Sequence, residues 1–506
     1  MTAEGTLREA LARDPDDAAA ADALARELLT AGRAAEALQL TGPRVADTDR
    51  DSLLVTHIEA LRQLDRAKEA LPTLERLAAR LPRDGYVQQE YAFGLVTEAR
   101  YADAESVLRA VLDGGFEHPF AWQMLGAALM GLNRFDDAEA AFRSALRLAP
   151  GDFGAHRDLA YLVWRRTGDV DAACEAMDPI IAASADQGLR LIKARLLEST
   201  GDIRGAYALV AETGRNPALE VAAAQMAVGL NPDRAVEHAR AALTVAPEDP
   251  AVLAVAAEAH LAAGRPSEAL ALAETLRRIA PLNQHGVALA ATAWRLLGDA
   301  RYGELFDYDA LVQAETIETP AGWDSLQAYL ADLAVALQAL HPFHGHPVGQ
   351  SIRGGSQTLQ PLEQSAEPAI RAFFEAIDRP VRRYIARLAD APEPLRSRIR
   401  DGYAVAGAWS VRLQPGGLHV SHLHPAGWIS SAFYVSLPAE ASAEGRRGWL
   451  AFGKPGIPTA PRLASEHFVR PEPGLLVLFP SYMWHGTTPF GGDQARLTIA
   501  FDVVPA

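Results

Sequence analysis

The sequence is poor in cysteine, in net positive charge and in long apolar runs. Its one cysteine, Cys174, excludes an intramolecular disulfide and fits a reducing compartment. The net charge of −16 offers no attraction to nucleic acid or to an anionic membrane surface. No apolar run is long enough to cross a bilayer, and the first residues lack the basic and apolar segments of a signal peptide. We therefore expect a cytoplasmic protein with no nucleic-acid and no membrane partner.

Alanine-rich helical segments fill the first 300 residues and are separated by short turns. A small apolar residue opens the core face of the helix after each turn; the residues in this position are Ala37, Ala70, Ala104, Ala138, Ala172, Ala206, Ala235 and Ala269. They follow one another at 33, 34, 34, 34, 34, 29 and 34 residues. A constant period near 34 is typical of stacked two-helix units. The step of 29 predicts either one short helix or a kink in the array.

One copy resembles the tetratricopeptide (TPR) repeat position by position. The residues that carry the resemblance are Trp122, Leu125, Gly126, Ala138, Phe142, Ala145 and Pro150. We expect them to pack between helices and not to form a site. The resemblance implies a TPR solenoid over residues 1–300, with a concave surface that holds a peptide or a partner protein.

The pattern changes after residue 300. Helical segments are expected around Trp323 and from Glu367 to Leu388, with a loop over residues 341–358 between them. From Tyr403 onwards, short apolar runs alternate with Gly/Pro turns, which predicts five or more strands. We therefore predict an α + β multidomain protein. An all-α solenoid (1–300) precedes a second domain (301–506), in which a helical lead-in and loop (301–400) leads to a double-stranded β-helix, or jelly-roll, core (401–506).

Three histidines in the strand-rich part have the spacing of a metal site. His422 and His424 are two residues apart on an expected strand, so both point to one face. His485 follows about 60 residues later, after an apolar strand and a turn. Eleven residues further on, Arg496 opens the last strand, and Thr498 shares its face. His419 is an odd number of residues from His422, so we expect it to face away.

This order is similar to that of the 2-oxoglutarate/Fe(II)-dependent oxygenases. The segments QSIRGGSQT, HLHPAGWISSAFYVSLP and LVLFPSYMWHGTTPF resemble the group of these enzymes that is found fused to TPR arrays, over roughly residues 301–506. The resemblance implies a hydroxylase that uses Fe(II), 2-oxoglutarate and O₂. The TPR array suggests a peptide or protein substrate. In one respect the sequence departs from the family, because His424 stands where the common facial triad has a carboxylate.

The resemblance assigns roles to these residues. His422, His424 and His485 are expected to be the catalytic iron ligands, since three ligands on one face leave three positions for the keto acid and O₂. The alternative is two histidines and a water. Arg496 is expected to pair with the far carboxylate of 2-oxoglutarate, with Thr498 and Tyr434 adding hydroxyl bonds. A salt bridge of Arg496 with Asp502 or Glu472 is the alternative.

Two other functions remain open at this stage. One is a cupin-like metalloenzyme that does not use 2-oxoglutarate, although Trp428 and Ile429 stand where a cupin carries its glutamate. The other is a non-catalytic TPR interaction protein with a degenerate barrel. Candidate substrate contacts are Arg353 and Gln357 in the Gly-rich loop, and Trp428 behind the ligand pair. The loop histidines His341, His344 and His346 are expected to be exposed.

Overall fold

A computed structural model describes residues 3–64, 66–184, 187–212, 216–343, 345–441 and 445–506. Its internal contacts divide the chain into two units, residues 1–159 and 160–506. The second unit therefore holds the later repeats together with the strand-rich part. The domain boundary at residue 300 stays a prediction.

The first unit consists of helices that pair in sequence. They are α1 (Ala3–Arg13), α2 (Ala18–Thr30), α3 (Ala34–Val45), α4 (Asp51–Gln63), α5 (Leu71–Arg80), α6 (Gly85–Thr97), α7 (Tyr101–Asp113), α8 (Pro119–Gly131) and α9 (Phe135–Leu148). Small residues set how closely the partners approach. A Cβ at Gly126 on α8 would lie 2.4 Å from the ring of Phe142 on α9, so only glycine fits there.

The repeats continue through α10, whose residues span the division between the units. The helices are α10 (Phe153–Thr167), α11 (Val170–Cys174), α12 (Asp178–Ala183), α13 (Gln187–Thr200), α14 (Ile203–Val210), α15 (Pro217–Ala227), α16 (Pro232–Val245), α17 (Pro250–Ala262), α18 (Pro266–Ile279) and α19 (Gln284–Leu297). The 29-residue step coincides with the short helix α14, which has 8 residues. Seven of the eight marked alanines are buried, but Ala172 is exposed and Ala173 takes the core position.

Capping residues explain where the last repeat helices begin. Asp249 accepts hydrogen bonds from the backbone N–H groups of Ala251 and Val252, and Pro250 occupies the first turn of α17, where its missing N–H costs nothing. Asn283 caps α19 in the same way, by accepting from the N–H of His285. Both helices bury most of their residues, because the barrel covers the side that repeats would otherwise leave to solvent.

Among its described residues, the second unit also contains four further α-helices and nine strands. The helices are α20 (Arg301–Leu305), α21 (Tyr308–Leu311), α22 (Leu326–Gln338) and α23 (Pro368–Arg387). The strands are β1 (Gln313–Thr316), β2 (Ile352–Gln357), β3 (Tyr403–His419), β4 (Ile429–Ser436), β5 (Leu450–Phe452), β6 (His467–Val469), β7 (Leu475–Pro480), β8 (His485–Thr487) and β9 (Arg496–Pro505).

The strands form two antiparallel sheets. The larger has the order β1-β7-β4-β9-β3-β2, and the smaller has the order β6-β5-β8. This is the jelly-roll architecture expected after the helical array, and the predicted α + β fold is confirmed. The lead-in is not only helix and loop, because β1 and β2 close the two edges of the larger sheet. The strand β2 lies inside the segment expected to be a loop.

The last repeat helices and the barrel share one hydrophobic core. Residues from α17 and α19 belong to the same buried cluster as strands β4, β7 and β9. The Trp484 indole N–H donates to the Thr292 hydroxyl on α19 over 3.0 Å. Arg295 on the same helix donates to the Gly453 carbonyl at 2.7 Å. These contacts hold the turn that leads into β8 and the residue that follows β5 against α19.

One histidine of the lead-in differs from the expectation. His341 is buried rather than exposed, and its ring nitrogens are bonded to the hydroxyls of Ser356 and Ser410 at 2.9 and 3.0 Å. His344 lies outside the described residues. None of the described helices has both the length and the apolarity that a membrane crossing requires.

Candidate functional site

The three predicted histidines meet at the point where the two sheets face each other. His422 and His424 lie in the connection from β3 to β4, and His485 opens β8. One nitrogen from each ring lies within 4.8 Å of the others. Two mutual backbone bonds join His422 and His485, N–H to carbonyl, at 2.8 and 2.9 Å. The His424 N–H donates to the Ser481 carbonyl at 3.1 Å, so the backbone sets all three positions.

The ring hydrogen bonds determine which nitrogen each histidine presents. Nδ1 of His422 lies 3.0 Å from the Val420 carbonyl, and Nδ1 of His485 lies 2.9 Å from the Met483 carbonyl. A carbonyl only accepts, so Nδ1 carries the hydrogen in both rings and Nε2 keeps its lone pair. Histidine rings whose Nδ1–H donates to a backbone carbonyl, with Nε2 left to coordinate, are typical of metal ligands.

Burial keeps these rings neutral. It lowers the pKa of His422 to about 3, with the neighbouring His424 adding to the effect. It lowers the pKa of His485 well below the ordinary value, again helped by the adjacent histidines. A neutral imidazole is the form that binds a metal ion, so His422 and His485 need no deprotonation at physiological pH.

His424 is held by a carboxylate that the sequence did not reveal. Its Nδ1 lies 2.6 and 2.7 Å from the two oxygens of Asp502, which is 78 residues away on β9. Asp502 also accepts from the Ser430 hydroxyl at 2.7 Å, and Ser430 is bonded to Ser481 at 2.9 Å. The sequence did carry one signal for Asp502, because alternate residues of a strand share a face. Arg496, Thr498, Ala500 and Asp502 alternate along β9, and all four line the same cavity.

Arg496 lies in this cavity and is 2% exposed. One guanidinium nitrogen, Nη1, donates to the Gly448 carbonyl at 2.8 Å, whereas Nε is buried without a hydrogen-bond partner. Its guanidinium lies 5.0 Å from the centre of the Tyr434 ring. Burial lowers the pKa of Arg496 and raises that of Tyr434. Within the described chain, Arg496 has no ion pair with Asp502 or Glu472.

The two hydroxyls expected near Arg496 differ in their bonding. The Thr498 hydroxyl donates to the Val411 carbonyl at 3.4 Å, a long bond that leaves room for a better partner. The Tyr434 hydroxyl is buried with no hydrogen-bond partner in the described chain. Buried polar groups are normally satisfied, so the Arg496 Nε, which has no partner in the described chain, indicates a polar ligand in the cavity that Arg496 lines.

The cavity between the sheets has a volume of about 290 Å³. The triad, Arg496 and Thr498 line it, and so does Gln357 from β2. Two predicted substrate contacts lie outside its lining. Trp428 is fully buried and donates its indole N–H to the Leu395 carbonyl at 3.2 Å. The Arg353 guanidinium donates to the carbonyls of Gln350 and Ile352.

Two expectations about the histidine segment were wrong. His419 does not face away from His422: both line the cavity, their ring centroids lie 5.7 Å apart, and Ser351 contacts both rings. His422 and His424 do not lie on a continuous strand either, because β3 ends at His419. Strand alternation therefore does not extend from His419 to His422, which lies three residues beyond the end of β3.

Comparison with known families agrees with this geometry. Residues 407–502 match the family described as "Putative 2OG-Fe(II) oxygenase", and residues 124–188 and 231–292 match two tetratricopeptide-repeat families. The comparisons therefore show tetratricopeptide repeats followed by a match to a putative 2OG-Fe(II) oxygenase domain. That family implies Fe(II) and 2-oxoglutarate as cofactors.

Solved structures similar to the chain include tetratricopeptide repeat proteins. A repeat protein from Parabacteroides merdae ATCC 43184 is 16% identical, covering 47% of this chain and 91% of that one, with a TM-score of 0.36. MamA from Desulfovibrio magneticus RS-1 is 20% identical, covering 33% and 93%, with a TM-score of 0.30. A thermophilic TPR protein of Thermus thermophilus is 23% identical, covering 35% and 99%, with a TM-score of 0.28. Likeness at these scores carries no argument about function. The comparison with curated proteins gave no match.

Proposed function

We propose that this protein is an Fe(II)/2-oxoglutarate-dependent dioxygenase that hydroxylates a side chain of a peptide or protein. One observation carries the proposal. Three histidine nitrogens converge in a cavity that also holds a buried arginine with an unsatisfied N–H. A metal site alone accounts for the histidines, whereas the buried arginine, which has no ion pair in the described chain, favours an acidic ligand beside it in the same cavity.

The donor set fits a divalent iron site. Imidazole is a suitable ligand for Fe(II), and each of His422, His424 and His485 has its Nδ1 bonded to an acceptor, so that Nε2 is the nitrogen to coordinate. The bound metal, with 2-oxoglutarate and O₂, supplies the oxidation of a substrate C–H bond. Asp502 contributes the negative charge that three neutral ligands lack, through the His424 ring.

The polar end of the cavity fits the far carboxylate of 2-oxoglutarate. Arg496 is positioned to donate to that carboxylate with the guanidinium N–H groups that have no protein acceptor, and its fork matches carboxylate geometry. The Thr498 hydroxyl lines the cavity and has only a weak partner, so it is free to donate to the same group. Tyr434 does not line the cavity and contacts the Arg496 guanidinium, so its bond to 2-oxoglutarate stays a prediction. Leu450 and Ile499 line the cavity and help to exclude water.

The repeat array suggests how a substrate arrives. TPR surfaces bind peptides and proteins, and the last repeat helix α19 packs directly on the turn that carries His485. We propose that a substrate held by the array enters the cavity past Gln357 and the segment from His424 to Gly427. Substrate contacts by Arg353 and Trp428 stay predictions, since neither lines the cavity.

An anaerobic titration of the purified full chain tests the proposal. Fe(II) is added first, then 2-oxoglutarate, while the visible charge-transfer band of the iron–keto acid chelate is followed. We expect one equivalent of each to bind, and succinate to form when O₂ is admitted. Iron binding without the 2-oxoglutarate band would favour a cupin-like metalloenzyme. No iron binding would favour a non-catalytic interaction protein with a degenerate barrel.

His485→Ala and Arg496→Ala separate the two parts of the site. The first variant should lose iron and therefore the band. The second should keep iron but lose affinity for 2-oxoglutarate. If both variants bound 2-oxoglutarate like the unmodified chain, the cavity would not be the cofactor site.

A further inference from the structure

A second cleft adjoins the cavity of the triad. It has a volume of about 610 Å³ and lies between the α18–α19 turn and the barrel. Its lining includes Asn283, Arg398, Arg400, Pro425 and Ala426, and the last two also line the triad cavity. The chain segment directly after His424 is therefore a wall common to both spaces. Whatever occupies the cleft lies one short segment away from the proposed metal.

Arg398 is a buried cation that has no acidic partner among the described residues. It is 8% exposed, and its one hydrogen bond within the described chain runs from Nη1 to the Gly427 carbonyl at 2.8 Å. Its Nε is buried with no acceptor. A guanidinium withdrawn from water in this way is costly unless it is paired, and no described carboxylate forms an ion pair with it. The arrangement favours an anionic ligand.

Two neighbours add to the positive potential of the cleft. Arg400 is exposed, donates only to the carbonyls of Ser397 and Ile399, and also has no ion pair in the described chain. Asn283 caps α19, so the positive end of that 14-residue helix lies at the rim. The Asn283 side-chain oxygen accepts the His285 N–H, which leaves its amide N–H₂ group available as a donor.

The cleft carries arginines although the chain as a whole is negatively charged. At a net charge of −16 the distant field repels an acidic peptide. Screening limits that field to about 8 Å at physiological ionic strength, so the arginines at the cleft decide what binds there. A carboxylate also matches the planar fork of an arginine, where two parallel hydrogen bonds can form.

We propose that this cleft binds an acidic side chain, aspartate or glutamate, of the peptide that the enzyme oxidises. That the bound peptide is a substrate of the enzyme rests on the proposed function. The acidic residue would pair with Arg398 and Arg400, and a residue close to it in the peptide would reach the triad past Pro425 and Ala426. The cleft therefore selects peptides in which the oxidised residue has an acidic neighbour.

Fluorescence anisotropy of the metal-free full chain tests the cleft independently of the oxygenase chemistry. The probes are a fluorescein-labelled oligoglutamate peptide and the matched oligoglutamine peptide. We expect the first to bind and the second not to. Arg400→Glu should raise the dissociation constant of oligoglutamate by at least about tenfold, because one attraction becomes a repulsion. Arg398→Lys keeps the positive charge but loses the planar guanidinium, so it should weaken oligoglutamate binding less than Arg400→Glu does.

Arg371→Glu is the matched control. Arg371 is exposed on α23, lines neither space, and its substitution changes the net charge by the same amount. Equal loss in Arg400→Glu and Arg371→Glu, or equal binding of the two peptides, would overturn the proposal, as would the absence of oligoglutamate binding. Full displacement of the peptide by N-acetylglutamate at the same glutamate concentration would show a site for a small acid, and would overturn the peptide assignment. The iron and 2-oxoglutarate titrations are unaffected by any of these results.

Discussion

Replacing Asp502 by asparagine tests whether the carboxylate behind His424 supplies the charge that a triad of neutral histidines lacks. Asp502 accepts the Nδ1–H of His424 and the hydroxyl of Ser430. A hydrogen bond to a charged group contributes about 1.5–3 kcal/mol, and a neutral one about 0.5–1.5 kcal/mol. Asparagine keeps the shape and one acceptor oxygen. Asp502→Asn should therefore cost about 1–1.5 kcal/mol of Fe(II) binding, or roughly five- to tenfold in affinity.

Asp502→Ala removes the acceptor as well as the charge and frees the His424 ring to turn. Loss of such an outer partner typically lowers metal affinity by about 10–100-fold, so alanine should weaken binding more than asparagine does. The measurement is an anaerobic Fe(II) titration of the full chain by calorimetry. The thermal midpoint of the metal-free protein is recorded for each variant, so that a loss of folding is recognised.

Asp493→Asn is the matched control for the charge change. Asp493 is exposed in the turn before β9, and its substitution removes one negative charge without touching the triad. It should leave Fe(II) affinity unchanged. An affinity in Asp502→Asn equal to that in Asp493→Asn would refute the reasoning, because the carboxylate would then have no electrostatic effect on the metal through His424.

The remaining predictions concern the cofactor pocket, the triad and two buried polar groups. Arg496→Ala should lower 2-oxoglutarate affinity more than a hundredfold, a loss of roughly 3–5 kcal/mol for an unpaired buried charge, while Fe(II) titration stays normal; unchanged 2-oxoglutarate affinity would remove it from the site. His424→Ala should abolish the anaerobic charge-transfer band and His419→Ala should not; the reverse result would mean that the wrong histidine pair was chosen. Burial lowers the pKa of His341 to about 4, so the unfolded state binds more protons and stability falls as pH drops from about 6.5 towards 4. His341→Asn should reduce the stability lost between pH 7 and pH 5 in urea denaturation by about 2 kcal/mol, and an unchanged pH dependence would contradict this. Thr292→Val should lower the thermal midpoint, since an indole N–H left buried and unpaired costs about 1–3 kcal/mol; Thr275→Val, at an exposed bond, is the control and should not.

Local patterns in the sequence predicted the elements of the fold well. The period near 34 residues follows from small residues at helix–helix contacts, and Gly126 against Phe142 shows the contact that requires them. The strand β9 starts at the residue expected, Arg496, because apolar alternation resumes there after a Gly-rich turn. The shift from Ala172 to Ala173 was not predictable, since two adjacent alanines are equivalent in any pattern of size and polarity.

The parts of the site that depend on distant pairing could not be predicted. The bond between His424 and Asp502 joins a connection after β3 to the middle of β9, and only the register of the closed sheet brings them together. The packing of Trp484 on Thr292 is a contact between the repeats and the barrel for which no motif exists. The position of His419 depends on where β3 ends, and alternation does not mark the end of a strand.

The charges in the proposed site account for a metal triad in which no carboxylate is a ligand. If the cavity binds Fe(II) and the 2-oxoglutarate dianion as we propose, these two carry opposite charges of equal size and cancel. The protein adds one positive charge, Arg496, and one negative charge, Asp502, and these cancel as well. In a buried space the net charge matters more than which atom carries each charge, because water does not screen an excess of charge there. Moving the carboxylate from the metal to the far side of the His424 ring keeps that sum at zero. It follows that removing the charge of Asp502, with no change in its shape, should already weaken the site.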